Sequence, residues 1–208
     1  DVLIEVLANA GIERIYGITG DSLNSVNDSL RRNGKIAFEH VRHEETAAFA
    51  AGAEASLTHK LTVCAGSSGP DNLHLINGLF DCHRNRVPVL AIASHIPQSE
   101  VGLNYFQETH PENLFKECSC FCELVSNPKQ MPEILFRAMN AAVGNQDVAV
   151  IVLPGDVAVM EMEIDELPVW TPPRLPHIVP QREDIEEMAA HLETGKRITL
   201  FCGAGCEG

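Results

Sequence analysis

The feature that most constrains this fold is a sixfold alternation of short apolar segments with segments of helical periodicity. Short apolar runs bounded by turn residues predict buried strands. They lie at residues 12–18, 36–38, 61–65, 87–93, 122–125 and 148–153. Strands that alternate with helices through short turns favour a parallel sheet covered on both faces. The sequence therefore predicts an α/β fold, with a six-stranded parallel sheet in a domain that spans residues 1–160.

Three polar or glycine-rich segments follow strands of this predicted sheet. They are Gly17-Ile18-Thr19-Gly20-Asp21-Ser22, His43-Glu44 and Gly66-Ser67-Ser68-Gly69-Pro70-Asp71-Asn72. In sheets of this class, ligands bind at the carboxyl ends of the strands. We therefore expect the three segments to converge at one edge of the sheet. Asp21 or Ser22 can instead serve only to cap the helix that follows.

Glu44 stands at the head of an alanine-rich segment that continues to Ala55. Alanine favours helix and lets a neighbouring element approach closely. Burial among methyl groups favours the protonated carboxyl, whereas the helix N-terminus favours the carboxylate. A carboxyl held between these influences is suited to relay a proton. The alternative is a solvated helix start, and convergence with the glycine-rich turns favours the functional interpretation.

The alternation breaks down after Met160. Residues 161–180 contain acidic residues and five prolines, a composition that predicts a partly extended linker. Beyond it, the pattern predicts a helix at 184–192, a strand at 198–201 and a glycine-rich turn at 203–205. A strand and a turn with no helix after them form only half of a strand–turn–helix unit, so we expect residues 181–208 to be the start of a second α/β domain. The chain also opens inside an amphipathic pattern without Met, as expected of a trimmed start.

Composition excludes some functions. The formal net charge of -14 argues against nucleic acid as a partner, and no apolar run reaches the roughly 18 residues of a membrane span. The seven cysteines include no C-x-x-C pair, which fits a reducing cytoplasm. Cys118, Cys120 and Cys122 alternate but lack the pair spacing and the fourth ligand of a usual zinc site. Buried or incidental thiols are the favoured interpretation.

Five motifs together resemble the thiamine-diphosphate enzymes, and among them the pyruvate oxidases and quinone-linked pyruvate dehydrogenases. The motifs are residues 17–22, Arg42-His43-Glu44-Glu45, Cys64-Ala65-Gly66-Ser67-Ser68-Gly69-Pro70, His74-Leu75-Ile76-Asn77-Gly78-Leu79-Phe80-Asp81 and Phe106-Gln107-Glu108. They occur in the order expected of that family. The resemblance covers the pyrimidine-binding domain over residues 1–160, and it touches the first turn of the central flavin-binding domain at 203–205.

The resemblance implies a catalytic role for Glu44. In the family this carboxyl hydrogen-bonds N1′ of the cofactor's aminopyrimidine and promotes the imino form that deprotonates thiazolium C2. The resulting ylid attacks pyruvate, carbon dioxide leaves, and electrons pass through flavin to quinone or oxygen. The implied cofactors are thiamine diphosphate, Mg²⁺ and FAD.

The resemblance also assigns positions around Glu44. It implies cofactor contacts for Gly20, Asp21, Ser67, Gly69 and Asn72. It implies a substrate pocket lined by Ser22, His74, Phe106 and Gln107. Each position has a structural alternative, such as a satisfied core histidine for His74 or plain packing for Phe106.

Two features depart from the family pattern. Asp71 stands where family members usually carry glycine, so it either crowds the start of the helix or acts as a first-turn acid. The Gly-Asp-Gly motif that binds Mg²⁺ and diphosphate is absent, since Gly20-Asp21 and Gly155-Asp156 do not continue in that way. We therefore expect the Mg²⁺ ligands, and most of the FAD site, to lie outside this chain.

The favoured hypothesis is the N-terminal portion of a cytoplasmic pyruvate oxidase that forms a dimer or tetramer. Peripheral membrane association of the full-length protein is left open. An acetolactate synthase-like carboligase shares the same motifs and is the first alternative. A non-catalytic binding or assembly module is the second, because the diphosphate half of the site is missing from these residues.

Overall fold

The computed structural model describes residues 1–163, 166–203 and 206. Two compact units divide the chain, residues 1–173 and 174–208. Helices of the first unit are α1 (Val2–Asn9), α2 (Asn24–Asn33), α3 (Glu44–Thr58), α4 (Pro70–Asn85), α5 (Pro111–Leu114), α6 (Met131–Asn145) and α7 (Gly155–Val159). Its strands are β1 (Arg14–Gly17), β2 (Ala37–His40), β3 (Thr62–Gly66), β4 (Val89–His95), β5 (Phe121–Leu124) and β6 (Val148–Pro154).

The six strands form one sheet in the order β2-β1-β3-β4-β6-β5, and every pair is parallel. The prediction of a six-stranded parallel α/β sheet is confirmed. β3, β4 and β6 are buried at every residue, because helices cover both faces of the sheet's centre. Their carboxyl ends lie at one edge, beside the ends of β1 and β2.

The two faces of the sheet carry separate apolar cores. Helices α1, α2 and α6 cover one face, where Leu90 and Ile92 of β4 are buried. Helices α3 and α4 cover the other face, where Ala91 and Ala93 of the same strand are buried. Successive side chains of a strand point to opposite faces, so β4 contributes to both cores in turn.

Close packing of α3 on α4 positions the N-termini of both helices. A Cβ atom at Gly78 of α4 would lie 2.5 Å from the Ala48 Cβ and 2.8 Å from the Glu45 carbonyl oxygen. Only glycine permits this approach of the two helices. The alanine-rich composition of α3 therefore has a packing role, and it brings residue 44 beside α4.

The segment before residue 174 includes Trp170, whose side chain is buried against the first unit. Its indole Nε1 donates a hydrogen bond to Asn140 Oδ1 on α6 at 2.9 Å. Residues 166–173 thus belong to the first compact unit, although they fall within the predicted linker. The domain limits at 160 and 180 stay predictions.

In the second unit, helix α8 (Arg182–Glu193) forms where a helix was predicted. The predicted strand at 198–201 is wrong, since the structure gives these residues no strand conformation. A strand needs a neighbour to pair its backbone groups, and no described strand lies beside this segment. Ala204 and Gly205 of the predicted turn lie outside the described residues.

The Cys118, Cys120 and Cys122 thiols do not share one strand face, because β5 begins only at Phe121. Burial raises the pKa of the Cys118 thiol to about 11 and that of Cys122 to about 12. Within the described ranges, no group with metal-ligand spacing includes a cysteine. Likewise, no described helix is long and apolar enough to cross a bilayer.

Candidate active site

The turns that follow β1 and β3 meet at the carboxyl edge of the sheet. Ser22 Oγ lies 2.8 Å from Ser67 Oγ and accepts a hydrogen bond from the Ser68 backbone amide at 2.9 Å. Ser94, near the end of β4, donates from its hydroxyl to the Ser22 carbonyl at 2.7 Å. The predicted convergence of these turns is therefore confirmed.

The alternative role of Asp21 or Ser22 as a helix cap is wrong. Gly20 precedes the short 3-10 helix at Asp21–Leu23, and Leu23 precedes helix α2. Neither residue caps its helix through a side chain. The hydroxyl of Ser22 is engaged across the site instead, while Asp21 is exposed at its rim. The Asp21 side chain thus remains available to the role that the resemblance implies, whereas the Ser22 hydroxyl joins the two turns.

Two glycines allow the site's backbone segments to touch. A Cβ atom at Gly20 would lie 2.4 Å from Ser67 Oγ. Gly69 has a φ of +73°, and a Cβ there would lie 3.0 Å from the Gln107 Cβ. Glycine alone combines this φ with this contact. Gly20, Ser67, Gly69 and Gln107 are therefore brought together in one place.

Glu44 is the first residue of α3 and is only 4% exposed. His43 caps the helix, because its Nδ1 accepts a hydrogen bond from the Glu45 backbone amide at 3.3 Å. This confirms that His43 orients the turn. The Oε2 atom of Glu44 lies 3.0 Å from His74 Nδ1, and none of the described residues donates to its Oε1 atom.

His74 lies on α4, one turn beyond the N-terminus, and its side chain is 45% exposed. Its ring stacks on that of His43, with centroids 4.4 Å apart and planes inclined by 29°. Asn77 of α4 donates a further hydrogen bond to the Glu45 carboxylate. His74 is therefore a partner of Glu44 at the site's surface, and the alternative of a core histidine bonded to backbone is wrong.

Asp71 occupies the first turn of α4, which begins normally at Pro70. It is a first-turn acid and does not disrupt the start of the helix. Burial, and then the nearby Glu44 carboxylate, raise the pKa of Asp71. One Asp71 carboxylate oxygen would lie 3.7 Å from a Cβ at Gly20, so this side chain lies between the glycine turn and Glu44.

Asn72 and Phe106 occupy opposite extremes of exposure. The Asn72 amide is fully buried and donates to the Ser94 carbonyl at 2.7 Å, which fastens α4 to the end of β4. Phe106 is 82% exposed and contacts the ring of Tyr105, so the plain-packing alternative does not describe it. The cofactor contact of Asn72 and the pocket role of Phe106 stay predictions.

Sequence reasoning missed two residues at the end of β4. Ser94 is fully buried and bonds Ser22, and His95 is 5% exposed, with a buried Nδ1 that has no partner among the described residues. Burial lowers the pKa of His95. Their position at the carboxyl end of a central strand was the available signal.

A buried carboxylate at a sheet edge formed by glycine turns defines the class of site, and comparison with known proteins identifies the family. Residues 1–114 match the family model of the thiamine pyrophosphate enzyme, N-terminal TPP binding domain. This match covers more than half of the 208 residues. The chain belongs to this family.

Several relatives match nearly the whole chain, including the three that follow. It is 58% identical to an uncharacterized 42.6 kDa protein of Pseudomonas amyloderamosa, over 100% of this chain and 53% of that protein. It is 35% identical to a putative thiamine pyrophosphate-containing protein of Bacillus subtilis, over 98% of this chain and 36% of the relative. The identity to a pyruvate oxidase of Lactiplantibacillus plantarum is 31%, over 98% of this chain and 34% of that enzyme. The chain thus spans about half the length of the first relative and about a third of the length of the other two.

Proposed function

We propose that this chain is the N-terminal portion of a thiamine-diphosphate- and flavin-dependent pyruvate oxidase. The parent enzyme would decarboxylate pyruvate oxidatively to acetate or acetyl phosphate and pass electrons to quinone or oxygen. The observation that carries the proposal is the placement of Glu44, a buried carboxylate at the head of α3, beside His74 and the glycine turns. The similarity to a pyruvate oxidase supports the oxidase reaction, and the similarity to acetolactate synthases over a comparable length keeps the carboligase as the alternative.

The residues present fit the aminopyrimidine half of thiamine diphosphate. Glu44 Oε1 receives no hydrogen bond from a described residue, so it can accept one from a ligand. The contacts of Gly20 with Ser67 and of Gly69 with Gln107 fill the space where the turns meet, so a ligand ring would lie beside these contacts and not between them. Mg²⁺ and diphosphate need several oxygen ligands, and the family's motif for them is missing from this sequence.

When bound, thiamine diphosphate supplies a nucleophilic carbon and an electron sink. The contribution of this chain is the position and the protonation of Glu44. Its carboxyl would exchange a proton through Oε1, while the bond from Oε2 to His74 fixes its orientation. The low exposure of Glu44 keeps bulk water from competing for that proton.

The substrate would approach from the exposed side of the same edge. Asp21 and His74 are accessible there, and Gln107 is half-buried against Gly69. Hydrogen bonds from Gln107 or His74 would orient a small keto acid. Ser22 holds the two turns together through its bonds, so its role in the pocket would be to shape it.

The remaining partners follow from the same proposal. Mg²⁺ and most of the FAD site would be supplied by parts of the enzyme outside these residues. The active site of such enzymes joins two subunits, so the full-length protein would be a homo-oligomer. We propose a cytoplasmic location. We also propose that the protein does not bind nucleic acid, which its net charge of -14 supports.

The proposal is tested on the full-length protein with thiamine diphosphate, Mg²⁺ and FAD. Pyruvate should drive reduction of a quinone or consumption of oxygen, with acetate or acetyl phosphate as the product. Acetolactate as the main product, with no electron transfer, would replace the oxidase with the carboligase alternative. Absence of both activities in a fully loaded oligomer would favour a non-catalytic module.

A further inference from the structure

We propose that His43, Glu44 and His74 also form a binding site for a divalent transition-metal ion, such as Zn²⁺, in the chain without its cofactor. One potential ligand atom from each of the three residues lies within 4.8 Å of the other two. The group combines two imidazoles with one carboxylate. This donor set, with one position left open, is common at zinc sites.

The three ligand atoms must move closer together, by side-chain rotation, for one ion to reach all three residues. In tetrahedral coordination with bonds of 2.0–2.1 Å, neighbouring ligand atoms lie about 3.3 Å apart. Glu44 Oε2 and His74 Nδ1 are already 3.0 Å apart. The third donor, on His43, lies within 4.8 Å of the other two, and one ring must turn out of the stack with centroids 4.4 Å apart because an imidazole binds an ion in its own plane.

The backbone that carries the three ligands is held rigidly. His43 and Glu44 are adjacent at the head of α3, and His74 faces them from α4. The close contact at Gly78 and the hydrogen bond between Asn77 and Glu45 fix the two helices against each other. Because the backbone is fixed, only side-chain torsions have to be ordered when the ion binds, which limits the loss of conformational entropy.

Exposure and charge both favour a cation here. The side chains of His43 and His74 are 46% and 45% exposed, so an ion can reach the cluster from solvent. The Asp71 carboxyl, near Glu44, adds negative charge to the same edge. Imidazole donors select zinc, copper or nickel over magnesium, so this site is distinct from the family's Mg²⁺ site.

Metal binding would displace two existing interactions. The hydrogen bond between His74 Nδ1 and Glu44 Oε2 is replaced by bonds from both atoms to the ion. A metal-bound imidazole carries its proton on the other nitrogen, or else uses Nδ1 itself as the ligand. In either case Nδ1 of His43 can no longer accept the 3.3 Å hydrogen bond from the Glu45 amide. The loss is small because this bond is long and partly exposed.

An ion on Oε2 would also lower the basicity of the Glu44 carboxylate, whose Oε1 the proposed cofactor needs, so Zn²⁺ and thiamine diphosphate would compete. This second part rests on the proposed function, whereas the metal site itself does not. Competition would make the reconstitution of the full-length enzyme sensitive to trace zinc.

The binding test uses the 208-residue chain with its exposed thiols removed by Cys120→Ser, Cys202→Ser and Cys206→Ser, since thiolates also bind zinc. Calorimetric titration with Zn²⁺ alone should show one site per chain. Glu44→Gln and His74→Asn should each weaken binding by at least about 10-fold, the lower limit for loss of even an outer-shell partner. Circular dichroism confirms that each variant remains folded.

A matched control is His59→Asn. His59 follows the far end of the 15-residue helix α3, and asparagine tolerates its φ of 54°. This variant should bind Zn²⁺ as the parent chain does. No binding by the parent, or equal affinity in the His59, His74 and Glu44 variants, would overturn the metal site and leave the proposed oxidase function intact.

The competition test uses the full-length apoenzyme. Added Zn²⁺ should raise the thiamine diphosphate concentration needed for half-maximal reconstitution, and His74→Asn should reduce that shift. Zinc binding without any shift would overturn the competition and leave the metal site standing.

Discussion

Replacement of Gly78 by alanine tests how closely α3 and α4 must pack. The added Cβ would lie 2.5 Å from the Ala48 Cβ and 2.8 Å from the Glu45 carbonyl oxygen, so the two helices must separate. Neither neighbour can yield by side-chain rotation, since one is a methyl group and the other is backbone. Overpacking of this kind costs about 1–3 kcal/mol, and we expect Gly78→Ala to lower the free energy of unfolding by that amount or more.

The matched control is Gly144→Ala on α6. A Cβ at Gly144 meets nothing within 4 Å. Alanine exceeds glycine in helix propensity, so this variant should be stabilised by up to about 1 kcal/mol. The two substitutions add the same methyl group and should shift stability in opposite directions.

Denaturation in urea, followed by Trp170 fluorescence, provides the assay. Trp170 is the only tryptophan of the chain, and it is buried against α6, so its emission reports on the first unit. A Gly78→Ala variant as stable as the parent would refute the close contact of α3 with α4. Equal destabilisation by both variants would show that the effect is not specific to that contact.

Three further results are expected. Burial and a neighbouring carboxylate raise the pKa of Asp71, so its stabilising effect is present only at low pH and is lost as pH rises through the raised pKa. Asp71→Asn should therefore stabilise the chain at pH 7 but not below pH ~4, where the unfolded carboxyl is also protonated. A stabilisation that does not depend on pH would contradict this. Ser22→Ala leaves the buried Ser68 amide without its acceptor and should cost about 1–3 kcal/mol in urea denaturation, whereas an unchanged midpoint would refute the bond. Maleimide should label Cys120 in the native chain but Cys118 only after unfolding. Mass spectrometry of digested peptides identifies the labelled residue. Rapid labelling of Cys118 in the native chain would refute its burial.

The sheet could be predicted because its central strands are apolar without interruption. β4 and β6 are buried on both faces, so their sequences carry a strong signal. The order of strands was not predicted, since it depends on where each crossover returns to the sheet. The strand predicted at 198–201 is absent, because a strand forms only beside a partner strand and the local sequence pattern does not show whether a partner is present.

The site was predicted in part. Glu44 and the two glycine turns could be found, because each follows a strand and carries residues of special chemistry. The bond between Ser22 and Ser67 joins residues 45 positions apart, and the stacking of His43 on His74 also crosses between elements. Such pairs depend on side-chain direction after the helices have packed, which sequence spacing does not contain. The alternative of a cap by Asp21 or Ser22 was wrong for the same reason.

Under the proposed function, Glu44 relays the proton that activates the cofactor. Exchange of the thiazolium C2 hydrogen for deuterium, measured by NMR on thiamine diphosphate bound to the full-length enzyme, tests this step without the later chemistry. We predict that Glu44→Gln slows exchange by about 10²- to 10⁴-fold, while Glu45→Gln, one residue away, exchanges at the parent rate. Exchange at the parent rate in fully loaded Glu44→Gln enzyme would contradict the claim.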